Sequence, residues 1–74
     1  MTRVSETHTI NCNIKHETSR AILIQAETLE EGLQELWFPL SQVNEIHRRE
    51  SISEGLFSDR IVCSKWIAQQ KGVL

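Results

Sequence analysis

From His8 to His16 the chain alternates, with His8, Ile10, Cys12, Ile14 and His16 on one parity and Thr9, Asn11, Asn13 and Lys15 on the other. A period of two predicts a β-strand that turns Ile10, Cys12 and Ile14 inward and the polar set to water. Glu17-Thr18-Ser19-Arg20 is short and polar, so it predicts a hairpin turn. Ala21 to Ala26 (AILIQA) is branched and apolar on both parities at its start, as expected of a central strand covered on both sides. Glu27 to Gly32 (ETLEEG) is acidic and ends in glycine, which predicts a second hairpin with Gly32 at positive φ. Leu33 and Trp37 share one parity of the next run, and Leu36, Phe38 and Leu40 the other, so a third strand is expected to start half-exposed and become buried on both sides. Pro39 has no amide hydrogen, so pairing stops there or the strand lies on an edge.

Ser41 and Gln42 then predict a tight corner whose side chains satisfy nearby backbone groups. Val43 to Arg48 (VNEIHR) fits a fourth strand, although Val43 and Ile46 differ in parity and a helical turn through Leu40 to Ile46 fits nearly as well. Arg49 to Asp59 (RESISEGLFSD) reads as the longest loop, anchored by Phe57, and Arg60 to Cys63 (RIVC) as the last strand. Ser64 has the preference of a helix N-cap and Gly72 that of the C′ position, bracketing a short C-terminal helix that turns Trp66, Ile67 and Val73 to the sheet. The expected fold is mainly β (α+β). It is a single domain over residues 1–74, a small antiparallel curled sheet or an SH3-like or OB-like partial barrel, with one short C-terminal helix.

Composition narrows the functional classes. A chain of 74 residues has a thin core, and 39% apolar against 24% charged residues is a globular composition. The longest apolar runs are too short to cross a bilayer, and MTRVSETHT lacks the apolar centre of a signal peptide, so no membrane association is expected. Two cysteines permit one disulfide at most, which favours a reducing cytoplasm with Cys12 and Cys63 as buried free thiols. The net charge of −2 withholds the long-range positive field that drives nucleic-acid binding and suits a protein partner better.

Chemistry finds little purchase. His8, Cys12 and His16 recur every four residues, but on a strand that spacing separates neighbours by roughly 13 Å, too far for one metal ion. Ser41, Cys12 and Cys63 are the available nucleophiles, with His47 or His16 as bases, and none stands in a recognised catalytic motif. No cofactor, metal or enzymatic activity is therefore expected.

Surface groups carry the remaining readings. Trp37 and Phe38 must face opposite sides of their strand; Trp66 is the natural cover for one side, so that Trp37 pairs with it through the fold. If Trp37 is instead open, it becomes an interface anchor. Arg48 and Arg49, with Arg60 and Lys65 following, form a modest basic patch that in a small barrel would contact single-stranded nucleic acid, but Glu45, Glu50, Glu54 and Asp59 are interleaved and dilute it. Glu27, Glu30, Glu31 and Glu35 cluster about the second hairpin, where they either solvate a face or complement a basic channel on a target.

Three segments carry a resemblance: Arg20-Ala21-Ile22-Leu23-Ile24, then Trp37-Phe38-Pro39-Leu40-Ser41-Gln42-Val43, then Trp66-Ile67-Ala68-Gln69-Gln70-Lys71-Gly72-Val73. In order and spacing, over roughly two-thirds of the chain, they resemble a group of small phage and mobile-element proteins with a W-[ILF]-P-K-S-Q turn and a C-terminal W-x-A-x-x-K-G helix. Leu40 departs from the group's lysine. The resemblance implies fold and origin. It makes this chain an expected non-enzymatic interaction protein that binds a host or viral protein, including an inhibitor of host defence of the anti-CRISPR type. A nucleic-acid-binding small barrel is the alternative, and a homodimer across an open strand edge would complete the thin core.

Overall fold

A computed structural model describes residues 6–49 and 57–74. The order of elements is β1 (Thr7–Glu17), β2 (Ala21–Thr28), β3 (Gly32–Pro39), a 3-10 turn (Leu40–Gln42), β4 (Val43–His47), β5 (Asp59–Ser64) and α1 (Lys65–Gln70). All pairings are antiparallel, in one unclosed sheet of order β3-β2-β1-β5-β4. The curl comes from β1. Its first half, Thr7 to Cys12, pairs with β5 and its second half, from Asn13, with β2, so one long strand passes between two halves of the sheet.

Turn chemistry sets the two hairpins of the meander. Thr18 Oγ1 accepts the Arg20 and Ala21 amides at 3.2 and 3.0 Å, a side-chain substitute for a backbone turn. Thr28 Oγ1 does likewise at the second hairpin, accepting from the Glu31 amide and donating to the Gly32 carbonyl. Gly32 there has φ 72°, as its glycine predicts.

The core is the concave side of the curl. Ile10 and Cys12 of β1, Ile22, Ile24 and Ala26 of β2, Phe38 of β3, and Ile61 and Cys63 of β5 are buried against Ile67 and Ala68 of α1. Trp66 does not join them: it is 57% exposed, and Ala68 takes the inward position instead. A six-residue helix has room for only one narrow apolar stripe, and Ile67, Ala68 and the following Val73 fill it.

Both helix ends are closed as expected. Ser64 Oγ accepts the Ile67 amide, and Gly72, at φ 80°, forms a C-terminal motif in which the Val73 amide reaches the Ala68 carbonyl at 3.1 Å and the Gly72 amide reaches that of Gln69 at 3.2 Å. Ser64 also donates to Gln42 Oε1 at 2.7 Å, so the corner after Pro39 is tied to the helix cap. The Leu29 amide donates to the Gly72 carbonyl at 2.8 Å, tying the second hairpin to the other end of the helix.

Two bulges resolve parities that simple alternation leaves wrong. Between Val43 and Glu45 the register of β4 slips, so that Val43 and Ile46 both pack against the core. Between Ile14 and His16 the register of β1 slips, and His16 moves from the concave face to the convex one, opposite Leu23. Most of the long loop lies outside the described residues, as do Glu50 and Glu54; Phe57 is half-buried and lines a small cavity with Ile10 and Val73.

Candidate interaction surface

The convex face of β1, β2 and β3 is open among the described residues. Register places His16, Leu23 and Trp37 in one row across it, Asn13, Gln25 and Glu35 in the next, and Glu27 with Leu33 beyond. Alternation explains the set: these positions interleave with buried Ile22, Ile24, Ala26 and Phe38. Leu23 and Gln25 are only half-buried, so β2 is covered on one side rather than two.

Trp37 is 43% exposed and Leu33 44%, which corrects the expectation that β3 becomes buried on both sides. Trp37 also does not pair with Trp66. Its ring meets the edge of His16, with centroids 6.1 Å apart and planes at 87°, an arrangement that steadies the indole without covering it. Sequence reasoning missed His16 here, because only the bulge at the end of β1 turns it to this face and nothing local announces that bulge. Asn13 Nδ2 donates to Gln25 Oε1 at 3.2 Å and orders the next row.

The acidic group gathers around the same strand. Glu27, Glu30, Glu31 and Glu35 are all exposed, Glu30 and Glu31 in the turn and Glu35 on β3 between Leu33 and Trp37. On the concave side, the hairpin tip and the C-terminal end of α1 enclose an open cleft of about 450 Å³. Glu30, Glu31, Gln34, Leu36 and Leu74 line it, with Lys71 as its basic side chain. Leu29, 72% exposed, lies at the rim.

The basic pair is at the other end of the meander and weaker than its sequence suggests. Arg48 is ion-paired to Glu17, and Arg49 is held at φ 56° with its amide donating to Asp59 at 2.7 Å. Asp59 is no surface charge: it is 8% exposed and accepts the Ile14 amide at 2.9 Å as well. Burial pushes its pKa up, but the amides of Ile14 and Arg49, the Ser58 side chain and the Arg48 charge outweigh that and hold it below the usual carboxylate value.

The remaining candidates have structural surroundings. Cys12 and Cys63 are free and buried; burial, then the charges of Asp59 and Cys63, push the Cys12 thiol up to about 12, and burial raises Cys63. A thiol so shifted is a poor nucleophile and a poor metal ligand at neutral pH. Gln42 accepts the hydroxyl of Ser64, 22 residues away, where a bond to the nearby backbone was expected, and Ser41 is exposed. Among the described residues no three His, Cys, Asp or Glu side chains converge on a metal position. No helix there is long and apolar enough to cross a membrane. Comparison with protein families, with curated proteins and with solved structures returns no match.

Proposed function

We propose that this chain is a non-enzymatic interaction module that binds a protein partner through β3 and the convex face beside it. The observation that carries the reading is the line of Leu33, Glu35 and Trp37 along the convex side of β3: a half-exposed indole and leucine flanking a carboxylate, with three further glutamates around the adjoining hairpin. An open aromatic is the usual anchor of a protein interface, and an acidic rim selects a basic partner and speeds its approach. Together with the resemblance to phage and mobile-element proteins, this supports a small inhibitor of host defence, of the anti-CRISPR type, acting in the host cytoplasm. By occupying a basic groove on its target, the hairpin would exclude the natural ligand.

The test is capture from host lysate, followed by affinity measurement with the purified partner. Glu30→Lys/Glu31→Lys is expected to weaken that binding by roughly tenfold and to reduce its salt sensitivity. Unchanged affinity in the charge-reversed chain would sink the reading. Salt-sensitive retention on single-stranded DNA with no protein captured would replace it with the nucleic-acid alternative.

A further inference from the structure

Among the described residues, no strand pairs with the outer edge of β3. The Leu40 amide donates to the Arg20 carbonyl at 2.8 Å, and the β2–β3 register runs without a slip from Ala21↔Pro39 to Thr28↔Gly32. Hydrogen-bonded pairs alternate along an antiparallel ladder, so the even positions of β3 bond inward. Leu33, Glu35 and Trp37 therefore direct their N–H and C=O groups away from β2, and Pro39 ends the run because it has no N–H. The opposite edge differs: β4 has five residues and a bulge, the device that usually blunts an edge.

We infer that this edge accepts an extended segment of the partner as a sixth strand, antiparallel to β3, with the pattern apolar, apolar, basic, basic, apolar. The inference rests on the protein-binding reading above and specifies its mode. Opposite Trp37, Glu35 and Leu33 the added strand presents an apolar, a basic and an apolar side chain on the convex face. Its two intervening residues point over the concave cleft, where the one opposite Leu36 meets Leu36 and Leu74, and the one opposite Gln34 meets Glu30 and Glu31. Main-chain bonds to three edge residues supply affinity, and the two rows supply specificity. Charge selects a foreign segment over a second copy, since a second β3 brings the same carboxylates to an edge already ringed by them.

The probe is the peptide acetyl-Val-Leu-Lys-Arg-Val-amide, with acetyl-Val-Leu-Glu-Glu-Val-amide as its control, added to the full chain while amide hydrogen exchange is followed residue by residue. The expected result is exchange slowed roughly tenfold or more at Leu33, Glu35 and Trp37, with Gln34, Leu36 and Phe38 little changed because they already bond to β2. A chemically synthesised chain with an N-methylated Glu35 amide should keep its circular dichroism and lose the peptide. No slowing at millimolar peptide overturns the inference, as does equal slowing by the acidic control. Partner binding that depends on Trp37 but leaves these amides fast overturns strand addition alone and leaves the protein-binding reading standing. Slowing that rises with protein concentration in the absence of peptide overturns it in favour of self-pairing.

Discussion

Asp59 holds together what the sheet alone does not. Its two carboxylate oxygens accept amides from the β1 bulge region and from Arg49, whose left-handed φ is a conformation that a side chain other than glycine adopts at a cost. Asp59→Asn is expected to cost about 2–3 kcal/mol at neutral pH, because it replaces a charged acceptor of two amides with a neutral one. The folded-state pKa is depressed, so the ionised carboxylate stabilises the fold above the ordinary value of 3.8 and loses that contribution as pH falls through the lower folded value. Urea unfolding between pH 7 and pH 2 should show wild type and Asp59→Asn converging in this acid range. A constant gap would contradict the assignment. Cys12 gives the opposite sign: its folded pKa is raised, so the unfolded chain releases its proton first and stability falls as pH rises from 9.0 toward 12. Cys12→Ser should flatten that alkaline decline, measured by the same unfolding series.

At the level of elements, the C-terminal helix depends on its ends more than on its length, since six residues are too few to be stable alone. Ser64→Ala removes the cap and the bond to Gln42 together and is expected to cost about 1–2 kcal/mol. Gln42→Ala should show coupling with it in a double-mutant cycle; additive losses would mean that the two do not communicate. Gly72→Ala meets open space, so its expected cost of about 1 kcal/mol is the backbone strain of φ 80° alone, read by thermal unfolding. These ends were legible because capping residues act locally: Ser64 and Gly72 each stand where their chemistry requires them, as Gly32 does in the second hairpin. Trp66 and Ile67 were harder. Adjacent apolar residues on a six-residue helix carry too short a pattern to fix its inward face, and the sheet beneath decides it, burying Ile67 and Ala68 and leaving Trp66 57% exposed.

For the molecule as a whole, alternation in β1 and turn residues at the hairpins were sufficient to predict a curled antiparallel sheet with a terminal helix. Strand order and the two bulges were not legible, because pairing between β1 and β5 joins residues some fifty positions apart. The acidic cluster was visible as composition, but its placement beside Trp37 depends on the edge position of β3, and that position follows from topology. Parity states that Trp37 and Phe38 face opposite sides; only the fold states which side is covered. Trp37 and Trp66 thus become a matched pair of exposed indoles on different elements, one beside the acidic edge and one on the helix. The most direct measurement is the affinity of the captured partner for Trp37→Ala and Trp66→Ala, with folding of both checked by circular dichroism. Trp37→Ala should lose roughly tenfold or more while Trp66→Ala stays near wild type. Loss confined to Trp66→Ala would contradict the account and move the interface to the helix.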